Sequence, residues 1–270
     1  MPSDFTGKTC IITGGGTGLG KAMAQELSRR GANLVIASRK AENVESAAAQ
    51  IRGETDGNVL PLVTDVRDPE QVQALVDKSL EKFGTIDILI NNAAGNFVVP
   101  SEKLSINGWN SVINIVLNGT WYCSSAVGRQ MIKQKSGAIL NIIATFAWTG
   151  APGVVHSASA KAGVLAMTRT LAAEWARYGI RVNALAPGVM MTEGASKNLL
   201  FDNDKAQAMI KKAIPLNRFA RLDEVAKIAA FLCSSDAGYI TGDVITADGG
   251  RTLSSGFMEL MEAMPVQQNG

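Results

Sequence analysis

The sequence predicts an α/β protein built as a doubly wound parallel sheet with helices on both faces. Two observations carry that reading. Short, continuously apolar runs alternate with segments of helical period, and a glycine-rich turn joins the first run to the first helix. A strand covered on both faces needs apolar residues throughout, and these runs have them. No composition break, repeat or low-complexity tract divides residues 1–270, so one domain is expected.

The first expected strand is Thr9–Thr13 (TCIIT). A helix follows over Lys21–Arg30, with Ala22, Met23 and Leu27 on its apolar face and Gly31 as its cap, and Leu34–Ser38 closes a βαβ unit. The alternation continues through a helix at Ala41–Ile51, a strand at Val59–Val63, a helix at Pro69–Phe83 with Leu75, Val76 and Leu80 inward, and a strand at Ile86–Ile90. Beyond a Gly/Asn/Pro-rich loop the spacing predicts one long helix over Ile106–Gln134, then a strand at Ala138–Ile143, a helix at Val154–Tyr178 and a strand at Arg181–Leu185. A helix at Asp223–Leu232 and a last strand at Val244–Ala247 complete the series. Residues 190–216 are too long and too mixed for a plain connector and are expected to form a partly helical lid over a pocket, and 253–270 a C-terminal extension.

Composition narrows the function. The net charge is +2 and both signs are spread along the chain, so neither nucleic acid nor an anionic membrane surface is an expected partner. Cys10, Cys123 and Cys233 are odd in number, far apart and set in apolar runs, which reads as reduced core thiols. A single histidine, His156, excludes a three-histidine metal site, and no metal is expected. The first strand opens at Thr9, no uncharged apolar run reaches the ~18 to 20 residues of a membrane span, and Gln268-Asn269-Gly270 is not a peroxisomal address. A cytoplasmic protein is expected.

Thr13–Gly20 reads TGGGTGLG. Glycines at 14, 18 and 20 allow a sharp turn and a close approach of backbone N–H groups to a pyrophosphate, and the helix that follows offers its positive N-terminal end. The second strand ends in Ser38-Arg39-Lys40, a hydroxyl and two cations where an NAD site usually presents a carboxylate; this predicts NADP(H). Asp65-Val66 and Asn91–Gly95 fall at the carboxyl ends of strands, the rim where ligands bind in such sheets.

TGGGTGLG, NNAAG (91–95), a helix bearing Lys161, RVNALAPG (181–188) and ADGG (247–250), in this order across residues 5–252, resemble the short-chain dehydrogenase/reductase family, whose fold is Rossmann-type. The resemblance implies that Asp65 contacts the adenine, that Asn91 to Gly95 line the adenosine side and stiffen the sheet, and that Pro187 and Gly188 sit against the nicotinamide. The expected cofactor contacts are therefore Gly14, Thr17, Gly18, Leu19, Ser38, Arg39, Lys40, Asp65, Val66, Asn92, Ala93, Ala94, Gly95, Lys161, Pro187 and Gly188. The long helices at 106–134 and 154–178 resemble those that pair across subunits in the family, which implies a homotetramer.

The family's usual tyrosine is Ser157 here and its usual serine is Ala144; only Lys161 stands. Ordinary ketone reduction needs that phenol to protonate an alkoxide. AAGNF (93–97), Leu117-Asn118-Gly119-Thr120 and SASAKAG (157–163) are similar to the 2,4-dienoyl-CoA reductase branch. That resemblance implies an acyl-CoA substrate, with Asn96, Phe97, Ser105, Phe146 and Trp148 on the substrate side. Hydride addition to a dienoyl thioester puts charge on the thioester oxygen, and the resulting dienolate is protonated on carbon. Such a reaction needs hydrogen-bond donors at the oxygen rather than an acid. Asn96, Lys161 and Ser157 are the catalytic candidates: Asn96 as the amide donor, Lys161 as ribose ligand and source of positive potential, Ser157 fixing the lysine or the ribose.

Some members of the branch carry a catalytic tyrosine fifteen residues before the lysine, where this chain has Phe146, which core packing equally explains. Water held near Asn96, His156 or Ser157 are the open sources of the proton, and His156 equally reads as a cap or packing residue. Trp109, Trp121, Trp148 and Met190-Met191 fit an acyl channel or a core or subunit interface. Arg218, Arg221 and Lys103 are unselected candidates for the CoA phosphates. Other readings are a short-chain oxidoreductase acting on 3-oxoacyl thioesters or polyols, and a catalytically weak NADP-binding scaffold.

Overall fold

The computed structural model describes residues 4–192 and 203–253. One sheet of seven strands, all parallel, runs in the order β3-β2-β1-β4-β5-β6-β7. The strands are β1 (Thr9–Thr13), β2 (Asn33–Ser38), β3 (Val59–Val63), β4 (Ile88–Asn91), β5 (Gly137–Ile142), β6 (Ile180–Pro187) and β7 (Val244–Ala247). Strand order reverses between β1 and β4, so the carboxyl ends of these two strands open a crevice, the general ligand position in such sheets.

The helices are α1 (Gly18–Arg29), α2 (Ala41–Thr55), α3 (Pro69–Phe83), α4 (Ile106–Ile113), α5 (Gly119–Gln134), α6 (Phe146–Thr149), α7 (Val155–Trp175), α8 (Asp204–Lys212) and α9 (Leu222–Cys233). They divide the core into two layers. One packs α1, α2 and α9 on one face of the sheet through residues such as Met23, Leu27, Ile51 and Ala229; the other packs α3, α5 and α7 on the opposite face through Val76, Val127, Met131 and Val164. The three cysteines are buried and free. Desolvation pushes the thiols of Cys123 and Cys233 up to about 12, so they stay protonated and unreactive.

Capping is explicit at α3, where the Asp68 carboxylate accepts the N–H groups of Glu70 and Gln71, Pro69 follows, and Gly84 ends the helix at φ 78°. Many predicted boundaries shift by one or two residues, and α2 runs on to Thr55, four residues past the expected Ile51. Helix α1 begins at Gly18, three residues before the expected Lys21, because its first turn is built from glycines that carry no apolar period. The helix expected over 106–134 is interrupted: residues 114–118 form a π turn in which the Gly119 N–H donates to the Asn114 carbonyl five residues back. That extra residue swings Ile115 toward the crevice, as π turns often do at functional sites. The helix expected to Tyr178 ends at Trp175 and tightens to a 3₁₀ turn over Ala176–Tyr178. Of the expected lid, residues 193–202 lie outside the described residues, while α8 is helical as expected of 190–216; the C-terminal extension beyond 253 also lies outside them.

The glycine turn is sterically closed. Gly14 has φ 65°, and a methyl group at Gly20 would stand 2.2 Å from the Gly14 carbonyl oxygen and 2.6 Å from Asn92 Nδ2. Gly53, inside α2, has nothing within 4 Å of the same position. Gly20→Ala is therefore expected to cost about 1 to 3 kcal/mol by overpacking, while Gly53→Ala gains about 0.5 to 1 kcal/mol from helix propensity. Denaturant midpoints of the two variants check this; equal effects would contradict the turn geometry.

Candidate functional site

The crevice between β1 and β4 continues into a cavity of about 1050 Å³ over the carboxyl ends of the strands. Its floor is the glycine turn. Asn92 holds that turn: its Nδ2 donates to the carbonyls of Thr13 (3.0 Å) and Gly14 (3.3 Å), and the Thr13 hydroxyl accepts the N–H groups of Asn92 and Ala93, both at 3.0 Å. The amide of Asn92 is thus consumed within the framework. Asn91, one residue earlier, is buried in the sheet. Its Nδ2 donates to Ser124 and Asn141 (2.9 Å each), and Asn141 donates to Thr168, which stitches β4 and β5 to α5 and α7.

One end of the cavity suits an anionic dinucleotide. Gly14, Thr17, Gly18, Leu19 and Gly20 line it at the start of α1, whose first turn holds no acidic residue and whose N-cap Thr17 makes no capping bond, so the helix N-terminal N–H groups remain for an anion. Ser38, Arg39 and Lys40 close that end, beside Asp65 and Val66. The Arg67 guanidinium grips both Asp65 oxygens (2.9 and 3.0 Å from Nε) and holds the carboxyl below its usual range. Ala93, Ala94, Gly95, Pro187 and Gly188 line the walls. This is the build of a nicotinamide dinucleotide site, and all of the expected cofactor residues border one cavity except that the Asn92 side chain faces the turn it supports.

The other end is apolar with a few polar groups: Ile115, Ile142, Ile143, Ala144, Phe146, Met190 and Met191 surround Asn96, Thr145, Ser157 and Lys161. Lys161 is 8% exposed, and its ammonium donates to the Ile142 carbonyl at 2.5 Å; burial lowers its pKa to about 8. Ser157 stands one helical turn before it on α7 and also borders the cavity, with no hydrogen bond between the two. The Asn96 Oδ1 accepts the N–H of Phe97 (2.9 Å), which fixes the amide orientation and leaves its N–H groups to donate.

Three expected substrate contacts lie off the cavity. Phe97 stacks against His156, with centroids 4.4 Å apart. Ser105 is the N-cap of α4 and accepts the Gly108 N–H at 3.1 Å. Trp148 points outward, 45% exposed, as does Trp121 on α5. Phe146 borders the cavity, half-buried, and His156, 0% exposed, borders none of it. Arg218 is committed to Glu224 through two contacts of 2.8 Å and Arg221 to Asp223 at 3.0 Å, and neither faces the cavity. Sequence reasoning missed Thr145, Asn43 and Arg251 among the lining residues. Thr145 and Arg251 were within reach of the rule that ligands sit past strand ends, since they follow β5 and β7 by a few residues.

Comparison with known proteins agrees with this geometry. A family model described as Enoyl-(Acyl carrier protein) reductase matches residues 14–252. The chain is 49% identical over 250 residues to a probable 2,4-dienoyl-CoA reductase, (2E)-enoyl-CoA-producing, of Bacillus subtilis, covering 92% of this chain and 97% of that one. It is 42% identical to a peroxisomal 2,4-dienoyl-CoA reductase, (3E)-enoyl-CoA-producing, of Danio rerio, covering 94% and 84%. Among solved structures, a short chain dehydrogenase from Bacillus anthracis superposes with a TM-score of 0.86 at 49% identity, over 92% of this chain and 98% of that one. A gluconate 5-dehydrogenase from Burkholderia cenocepacia, in complex with NADP and tartrate, superposes at 0.88 with 32% identity over 93% and 97%. With its sheet order, glycine turn and buried lysine all in place, the chain belongs to the short-chain dehydrogenase/reductase family, in the 2,4-dienoyl-CoA reductase branch.

Proposed function

We propose that the protein reduces 2,4-dienoyl-CoA to 3-enoyl-CoA with NADPH, in the β-oxidation of unsaturated fatty acids. The single observation that carries this reading is the reaction end of the cavity, which offers an oriented amide at Asn96 and a buried cation at Lys161 but, among the described residues, no phenol and no carboxylate. NADPH, when bound, supplies the hydride. Ser38, Arg39 and Lys40 support the choice of NADPH, since together they give a 2′-phosphate a hydroxyl and two cations. The likeness to a Burkholderia enzyme solved with NADP supports it too. The chain's own residues do the rest. Asn96 donates to the thioester oxygen as charge develops there, the apolar wall of Ile142, Ile143, Phe146 and Met191 lowers the local dielectric and strengthens that bond, and Lys161 adds positive potential. Ser157 keeps its hydroxyl at the cavity beside Lys161 and orients the ribose end. His156 does not border the cavity, which leaves water or the Ser157 hydroxyl as the source of the proton.

Protonation at the α carbon leaves a 3-enoyl product and protonation at the γ carbon a 2-enoyl product. Relatives named as (3E)-enoyl-CoA-producing support the 3-enoyl outcome. The Bacillus subtilis relative favours a second reading, the 2-enoyl product. Trp121, 44% exposed on α5, supports a homotetramer formed through the long helices.

NADPH oxidation with hexadienoyl-CoA tests the function, and the position of the double bond in the product separates the two readings. Turnover of 3-oxoacyl thioesters or polyols in its place would overturn the proposal, and nucleotide binding without turnover would favour a scaffold. In the same assay Asn96→Ala is expected to lower kcat by about 10² to 10³, the usual loss for one oxyanion donor.

Phe146→Tyr adds a second donor at the cavity wall and is expected to raise kcat at least about tenfold. An unchanged rate would mean that the thioester oxygen is already saturated with donors.

Lys161 makes the enzyme pH-sensitive. kcat/KM for NADPH reports the free enzyme and is expected to fall as pH rises through about 8, where the ammonium loses its proton. Stability moves the other way. The unfolded lysine titrates near ~10.4 and the folded one at about 8, so between these values the unfolded chain binds more protons and folding is favoured as pH rises. Compared with Lys161→Met, the wild type should therefore gain about 3 kcal/mol between pH 7 and pH 11, read by urea unfolding. A difference independent of pH would mean that the lysine is not desolvated.

A further inference from the structure

The single histidine, His156, sits at the second position of α7, fully buried, and neither ring nitrogen makes a hydrogen bond of ordinary geometry. A neutral imidazole carries one N–H, and leaving it unpaired in a core costs about 1 to 3 kcal/mol. Burial pushes its pKa down and keeps the ring uncharged, with the nearby Phe97 backbone opposing that shift. What the ring does touch is specific. It lies 4.4 Å from the Phe97 ring at an interplanar angle of 47°. The tip of the Phe97 ring also lies against α4 and the turn before it, where a methyl group at Gly108 would stand 3.1 Å from Phe97 Cζ and 3.1 Å from Leu104 Cδ1. The Phe97 N–H in turn donates to Asn96 Oδ1 at 2.9 Å.

A line of contacts thus runs from α7 through the imidazole and the Phe97 ring to the amide that faces the cavity. Residues 92–100 have no regular secondary structure; the bonds of Asn92 and Ala93 to Thr13 and of the Val99 N–H to the Gly153 carbonyl (2.9 Å) hold the two ends of this loop, and the contacts of Phe97 hold its middle, where Asn96 lies. We infer that His156 is a positioning residue: it clamps Phe97 against α4 and thereby aims the Asn96 amide at the thioester oxygen. The inference rests on Asn96 being the oxyanion donor. His156 itself touches neither substrate nor cofactor; Ser157 and Lys161, on the adjoining face of the same helix, border the cavity instead.

A double-mutant cycle tests it, with steady-state kinetics on NADPH and hexadienoyl-CoA. His156→Ala is expected to lower kcat by roughly ten- to a hundredfold, the effect of misplacing a group by about an ångström, with KM for NADPH within about twofold. Made in the Asn96→Ala background, the same change should cost less than about threefold, because the donor it positions is already gone. His156→Phe keeps a ring against Phe97 and should bring kcat back to within about threefold of wild type. A full-sized loss in the Asn96→Ala background, or a His156→Phe variant as slow as His156→Ala, overturns the inference. If His156→Ala does not fold, His156→Gln takes its place in the cycle with the same expectations. If Asn96→Ala alone leaves kcat unchanged, the oxyanion reading fails, and the inference with it; that result is distinct from a cycle that shows no coupling.

Discussion

A hydrogen-bonded clasp at the carboxyl ends of β1 and β4 sets the geometry on which the rest of the site depends. Thr13 closes β1 and Asn92 follows β4, and between them four contacts of 3.0 to 3.3 Å tie the glycine turn to the loop that leads to Asn96. The clasp lies where strand order reverses, so no ladder hydrogen bonds bridge the crevice above it. Without it the dinucleotide floor and the reaction end would be two loops with independent positions. With it, the N-terminal end of α1 and the amide of Asn96 are held in one frame. The same constraint explains Gly20, whose absent side chain leaves room for both Asn92 Nδ2 and the Gly14 carbonyl.

How far this was legible in the sequence depends on which physical signal each feature emits. Strands β3 and β7 and helix α3 fell at their expected bounds because apolar runs, an Asp-Pro start and a glycine stop all act locally. Helix α1 started early because glycine carries no hydrophobic period, and the π turn at 114–118 leaves no local mark at all. Within the site, residues fixed by backbone geometry or by a charge at a strand end reached the cavity as expected, among them Gly14, Gly18, Arg39 and Asp65. Phe97, Ser105 and Trp148 did not. Their side-chain directions follow from how α4 and α6 pack, and Ser105 preceding a helix is itself a capping signal that outranks a ligand role.

The cavity joins two dielectric regimes. At one end, backbone N–H groups and the cations Arg39 and Lys40 face the open cavity, a setting suited to phosphate. At the other end, the isoleucines, Phe146 and the methionines lie among Asn96, Ser157 and Lys161, and a polar contact in such apolar surroundings is worth more than it would be in solution. The lysine shows what this environment costs, since burial alone brings its ammonium down to about 8. Retaining a desolvated cation there destabilises the fold and is consistent with a site whose need is positive potential at a developing anion.

The substitution of Ser157 for the family's tyrosine then follows from where the proton must go. An alkoxide is completed by a proton on oxygen, so a phenol poised beside an ammonium suits it. A dienolate is completed on carbon. A phenol acidified by the lysine ammonium would hand its proton to that oxygen and leave a neutral dienol, whose carbons are far less basic, whereas an unacidified phenol only donates a hydrogen bond. An amide such as that of Asn96 stabilises the charge through hydrogen bonds yet does not surrender its proton, so the anion stays delocalised and its carbons stay basic. On the proposed reading, a reaction end with an oriented amide and a buried cation is matched to carbon protonation, and the precision of its aim would rest on the residues packed against Phe97.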